Sequence, residues 1–150
     1  MKPYKLYIPA QALGGMEALG QLGGAAHLED DIRMCQEQTI EPYFRKHLPK
    51  NEKVLEAGSG RGRWVFYLRR LGYDIVGIDI AQSDIQFAKS FDSSVPIEYE
   101  NVLQTSFVDG SFGAVISLGV VEHFEEGPQK AFAEVRRLLK PGGLFLVTVP

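Results

Sequence analysis

From residue 53 onward, short apolar runs alternate with stretches whose apolar positions recur at helical spacing. Val54–Ala57, Asp74–Ile78 ending at Asp79, Ile97–Glu100, Val115–Ser117 continuing into Leu118, and Leu144–Val149 read as five strands. Arg63–Leu71, Ser83–Phe91 and Pro128–Lys140 read as helices between them. In the first, Trp64, Leu68 and Leu71 share one face and Arg69 and Arg70 the other, and Gly72 ends it. Ser83 is placed as the N-cap of the second, and Pro128 at the first position of the third. Glu125 and Glu126 before that third helix, and Arg136, Arg137 and Lys140 late in it, complement its dipole. Pro141-Gly142-Gly143 then stops it. Upstream, Leu28, Ile32, Cys35, Ile40, Phe44 and Leu48 form an apolar stripe over 28–48, which Pro42 kinks or restarts.

Strand–helix alternation with near-continuous apolar strands predicts an α/β fold. The expected architecture is a Rossmann-like, doubly wound parallel sheet in three layers, αβα. Such sheets bind ligands outside the carboxyl ends of their strands. The loops that matter therefore start at Gly58, Asp79, Asn101 and Ser117. Residues 1–27 stand apart, with five glycines between Gly14 and Gly24. Glycine costs about 1 kcal/mol per helical position, so this segment is a flexible terminus or a lid ordered against a ligand. The domain proper is placed at 28–150.

Composition narrows the classes. A chain of 150 residues suits one domain, and 45% hydrophobic with 23% charged residues excludes wholesale disorder. The net charge of −3 argues against nucleic acid as a partner, short of a small basic patch. A single cysteine, Cys35, rules out an internal disulfide and reads as a small apolar residue on a helix. Three histidines and that cysteine show no zinc-ligand spacing, so no metal site is expected. No apolar run approaches the roughly 18 residues of a membrane span. Leu6-Tyr7-Ile8 is too short for a signal core, so the expected location is cytoplasmic.

The candidate chemistry starts at VLEAGSGRGRW, residues 54–64. Glycines at 58, 60 and 62 permit a sharp turn and close approach of a ligand, and they lead into a helix N-terminus. A dinucleotide fingerprint beginning at Gly58 needs glycine at 63, where Arg63 stands. The pattern is instead acidic-x-G-x-G-x-G, headed by Glu56. Asp79, 17 residues after Gly62, ends the next strand. Its carboxylate can cap the following helix or accept bonds from two ribose hydroxyls, and the glycine loop favours the ribose.

With VGIDI (76–80), SFVDGSFGAVISLGVVEHF (106–124) and LLKPGGLFLVTVP (138–150) in order behind that loop, the chain resembles the class I S-adenosylmethionine-dependent methyltransferases of small-molecule type. The resemblance runs from about residue 28 to the end. It implies strand order 3-2-1-4-5 and S-adenosyl-L-methionine as cofactor. Glu56, Ala57, Gly58, Ser59, Gly60 and Gly62 would wrap the methionine part, and Asp79 would hold the ribose. Ile80 and Val102 would pack on the adenine. Asn101 stands where the family usually has an aspartate facing the adenine amino group, and Ser117, Leu118 and Gly119 would lie beside the methyl group. Glu122 and His123 follow, with His123 a weak candidate for a base; the plainer role of the pair is to shape the loop. Trp64, Phe66 and Tyr67 are expected in the core, not in a cage.

Two departures stand out against the family. Phe112-Gly113 replaces its Phe-Asp, a change expected to be structural. The family's last two strands, a hairpin after the fifth, are missing. Leu144–Val149 would then be a bare apolar edge, which proteins normally avoid. A longer parent protein, a second chain pairing through 144–149, or cover from the N-terminal segment would each resolve this, and the first is favoured. The function expected is methyl transfer to a small-molecule acceptor. The alternative is a cofactor-binding module without its own acceptor site, inactive or completed by a partner chain. A nicotinamide oxidoreductase is disfavoured by Arg63, Glu56 and the SLGVVEHF segment.

Overall fold

A computed structural model describes residues 5–7 and 25–149. Its elements are β1 (Lys5–Tyr7), α1 (Ala25–Met34), a 3-10 turn (Cys35–Glu37), α2 (Glu41–His47), β2 (Val54–Ala57), α3 (Arg63–Arg70) and β3 (Ile75–Asp79). There follow α4 (Gln82–Phe91), β4 (Ile97–Tyr99), β5 (Phe112–Leu118), a second 3-10 turn (Val121–His123), α5 (Gln129–Leu138) and β6 (Leu139–Thr148). The strands form one parallel sheet in the order β1-β6-β5-β2-β3-β4. Counted without β1, the five strands of the alternation follow the expected order 3-2-1-4-5.

The sheet separates two apolar layers. On one face Leu28, Ile32, Phe44, Trp64, Leu68 and Ile85 pack from α1, α2, α3 and α4 onto Val54, Ile75, Ile97, Ile116 and Leu146. On the other, Val135 and Leu138 of α5 pack onto Leu55, Val76, Ile78, Phe112 and Val115. The connections from β2 to β4 thus run over one face, and the β5–β6 crossover over the opposite one. The direction of winding reverses between β2 and β5, and the carboxyl ends of those two strands flank the crevice.

Several local expectations are corrected by tertiary contacts. The stripe over 28–48 is two helices joined by the 3-10 turn, and Pro42 marks the expected restart, in the first turn of α2, where its missing N–H costs nothing. On α3 the buried set is wider than one stripe: Trp64, Val65, Phe66, Tyr67 and Leu68 are all buried. The cause is α1, which lies over α3 and is tied to it by the bidentate Arg70–Glu29 pair (2.7 and 2.8 Å). Phe44, Trp64 and Tyr67 meet edge to face at 4.9 and 5.7 Å, so these aromatics are core. Ser83 does not cap α4; the capping position is Ala81, whose N–H is met by the Asp79 carboxylate at 2.8 Å. Pro128 is the residue before α5, not its first. The helix ends at Leu138, and the chain is already paired with β5 at Leu139. Pro141-Gly142-Gly143 therefore lies in a break of register between Leu139 and Leu144.

The Phe112-Gly113 departure has a steric reason. A Cβ on Gly113 would lie 2.6 Å from the Glu52 Cβ, and the Glu52 carboxylate pairs with Lys140 at 3.0 Å. Glu52 occupies the space a side chain at 113 would need.

The Leu144–Val149 strand is not a bare edge. Lys5, Leu6 and Tyr7 pair in parallel with Phe145, Leu146 and Val147. Backbone pairing satisfies the middle of the strand from within the chain. Of the expectation that 1–27 is a lid or a loose terminus, only β1 and the start of α1 fall within the described residues, and α1 begins at Ala25, ahead of the boundary expected at 28.

Candidate functional site

The glycine turn between β2 and α3 is anchored to the end of β3. Gly58 and Ser59 both donate backbone N–H groups to the Ile78 carbonyl at 2.9 Å, and Gly60 N–H donates to Asp79 Oδ2 at 2.7 Å. Asp79 Oδ1 accepts from Ala81 N–H. An ionised carboxylate has about four lone-pair sites, so two backbone bonds orient Asp79 and leave one acceptor direction on each oxygen. The bond to Ala81 meets the residue ahead of α4, not a helical N–H, so α4 has no side-chain cap and Asp79 does not fill the capping role set against ligand binding in the sequence.

Gly60 and Gly62 do different work. Both have left-handed backbone, φ +52° and +79°. A Cβ on Gly62 would lie 2.2 Å from Ile97 Cδ1, so this glycine lets the turn settle on β4. A Cβ on Gly60 would meet nothing within 4 Å, so the turn is open there. Val120, from the loop after β5, lies over Gly58 and closes the far side of the turn.

Glu56, at the head of this loop, is buried in β2 beneath it. Burial pushes its carboxyl up to about 8, against the opposing pull of Arg63 and a hydrogen bond from the Val65 N–H, with Asp79 adding to the rise. Its Oε2 has no hydrogen-bond partner. Ser59 Oγ, Ser117 Oγ and Thr148 Oγ1 are likewise buried and unpartnered, and all lie in the glycine turn or near the carboxyl ends of β5 and β6. Orphaned polar groups cost free energy unless something satisfies them; these four gather at one rim of the sheet, and a fifth, Trp64 Nε1, lies in the core on α3.

The other expected residues line that rim. Ile80, following Asp79, is 63% exposed, unusual for an isoleucine at a strand end. Asn101 follows β4; its Oδ1 accepts from Leu103 N–H at 2.9 Å and so organises the turn that carries half-buried Val102. Ser117 and Leu118 end β5, and Gly119 N–H reaches the Thr148 carbonyl at 3.3 Å. Ala57 is fully buried and contributes backbone only. His123 and Glu122 are exposed on the 3-10 turn beyond Val120. Of the residues that an N-terminal lid could bring to the pocket, His27 is exposed on α1, while the side chains of Tyr4 and Tyr7 lie outside the described residues.

Sequence reasoning missed Thr148 and Val120. Thr148 had a signal, a hydroxyl at the end of an otherwise apolar run. Val120 had none, because an apolar residue in a loop does not reveal what it covers. Cys35 is buried, and desolvation pushes its thiol up to about 12, so it is an inert core residue. Among the described residues no group of three or more potential metal ligands comes together, and no helix is long and apolar enough to cross a membrane.

Comparison with known proteins gives this rim a context. Residues 55–147 match the methyltransferase domain family. A Mycolicibacterium smegmatis protein named as a probable S-adenosylmethionine-dependent methyltransferase is 29% identical over 104 residues, covering 69% of this chain and 40% of its own length. A ubiquinone biosynthesis O-methyltransferase of Nitrosococcus oceani is 29% identical over 107 residues, 67% of this chain and 45% of that one. Among solved structures, the PH0226 protein from Pyrococcus horikoshii superposes with a TM-score of 0.67 at 34% identity, over 72% of this chain and 53% of that one. The chain thus spans less than half the length of these two curated relatives. Matched fold, strand order and glycine turn together place the chain in the class I S-adenosylmethionine-dependent methyltransferase family.

Proposed function

We propose that this chain binds S-adenosyl-L-methionine at the carboxyl rim of β2, β3, β4 and β5 and takes part in methyl transfer to a small-molecule acceptor. The observation that carries the reading is the pairing of an open turn at Gly60 with the Asp79 carboxylate, joined by one 2.7 Å hydrogen bond. A nucleoside carrying an amino-acid arm suits this arrangement: ribose hydroxyls at the acceptor directions Asp79 keeps open, and the arm across the glycine turn. Exposed Ile80 and the Val102 turn offer apolar contact for a base, and Asn101 keeps a second carbonyl lone pair for an amino group.

The bound cofactor supplies a methyl group already activated on a sulfonium. The protein's part is orientation, holding acceptor and methyl in line. Ser117, Leu118 and Gly119 stand beside that position in this reading. The small-molecule assignment rests on the family resemblance and on the O-methyltransferase named above; net charge −3 supports it over a nucleic-acid acceptor.

Calorimetric titration of the folded chain with S-adenosylhomocysteine tests the reading. Saturable 1:1 binding is expected. Asp79→Ala should weaken it by about 1–3 kcal/mol, the scale of charge-assisted hydrogen bonds. No binding by the folded wild-type chain, or stronger binding of NAD than of S-adenosylhomocysteine, would refute it.

A further inference from the structure

Arg61 lies between the two working glycines, and its side chain crosses from the turn to α4. Its Nε donates to Asp84 Oδ1 at 3.2 Å, and its guanidinium sits 4.5 Å from the centroid of the Phe87 ring. Asp84 and Phe87 are three residues apart and so share one face of α4. That helix starts three residues beyond Asp79. The backbone of the turn is tied to β3 through Gly58, Ser59 and Gly60, while Gly62 rests on Ile97. Arg61 adds a side-chain tie from the open part of the turn to the helix behind the Asp79 loop.

We infer that Arg61 is a positioning residue: by bridging to Asp84 and Phe87 it holds the glycine turn at a fixed separation from Asp79, so that a ligand spanning both meets a preformed site. The inference rests on the cofactor reading above. A turn with glycine on both sides of Arg61 has many conformations open to it, and each one excluded beforehand is ordering cost that binding no longer bears. The pair is 40% and 35% exposed, a setting where ion pairs add little to global stability. Its effect should therefore appear in affinity, not in folding.

The test is S-adenosylhomocysteine titration of the full chain and four variants, with unliganded melting temperatures measured in parallel. Arg61→Gln and Asp84→Asn are each expected to raise Kd about three- to tenfold, within the range of a lost cation–π contact or ion pair. The double variant should bind as Arg61→Gln does, because Asp84 acts through Arg61. Arg61→Lys should recover part of the loss by restoring the charge. Unliganded melting temperatures should stay within about 2 °C of wild type. The proposal falls if Arg61→Gln binds as wild type does, if the two single losses add in the double variant, or if the loss of affinity is matched by loss of unliganded stability. Failure of the wild-type chain to bind would overturn the cofactor reading and this inference together, whereas tight wild-type binding with an indifferent Arg61→Gln overturns this one alone.

Discussion

Individual side chains show how position in the sheet overrides chemical type. Glu56 and Glu134 are both glutamates and both buried. Glu56 faces the glycine turn with one oxygen unpartnered, and burial raises its carboxyl to about 8. Glu134 on α5 accepts from Thr105 N–H (2.7 Å) and Thr105 Oγ1 (2.8 Å) and pairs with Arg137, and that guanidinium and those donors pull it down to about 2. Their linkage to folding has opposite sign. Between 4.5, its ordinary value, and about 8 the folded chain keeps the Glu56 proton that the unfolded chain releases, so stability falls as pH rises through that window. Stability from Glu134 is fully present above 4.5 and is lost as pH falls toward about 2. Denaturant midpoints measured from pH 5 to 8 should fall with rising pH in the wild type, and Glu56→Gln should flatten that slope. An unchanged slope would mean that Glu56 is ionised in the folded chain. The sequence flagged Glu56 as the head of a motif, but its burial and its lone bond to Val65 depend on α3 folding back over β2.

At the scale of elements, the glycine turn is a short segment whose glycines are not interchangeable. Gly62→Ala meets both a left-handed backbone and the buried Ile97 side chain, and should destabilise the fold by about 2–5 kcal/mol, the sum of backbone and overpacking costs. Gly60→Ala carries the backbone cost of roughly 1–2 kcal/mol without a clash. Because its methyl would point into the open part of the turn, it should weaken S-adenosylhomocysteine binding beyond what its stability loss explains. Thermal denaturation and titration of both variants separate the two effects, and equal profiles would contradict the division of roles. Strands and helices were legible here because period-2 and period-3.6 patterns are local. Their ends were less so: Ser83, Pro128 and the Pro141-Gly142-Gly143 run all carry strong boundary signals, yet the true boundaries shifted by one to several residues. Asp79 holds the N–H of Ala81, the residue before α4, and pairing with β5 drew Leu139 into a strand. β5 is remote in the chain from the boundary it sets at Leu139.

For the whole molecule, the open question in the sequence was what meets the outer edge of the last strand. The parallel pairing of Lys5–Tyr7 with Phe145–Val147 covers it over three residues. Removing residues 1–8 should therefore expose backbone donors and acceptors of an apolar strand, and sedimentation should show association that grows with protein concentration. A truncated chain that stays monomeric at all concentrations would show that β1 is not what protects the edge. The comparison between β1 and the last strand also shows the limit of pattern reading: a three-residue strand preceded by one proline and followed by another within two residues carries almost no periodic signal.

The sequence by itself determined the α/β class, the order of strands and helices, and the two loops that meet at the candidate site, because glycine conformations, apolar periods and a carboxylate at a strand end are written in neighbouring residues. Tertiary structure alone decided that Asp79 also holds the glycine turn through Gly60, that Glu52 fills the space beside Gly113, that Arg61 reaches α4, and that β1 pairs with the last strand. Each of these depends on the distance between residues 19 or more positions apart in the chain, or on backbone hydrogen bonds that any residue can make, and neither quantity is carried by local residue identity.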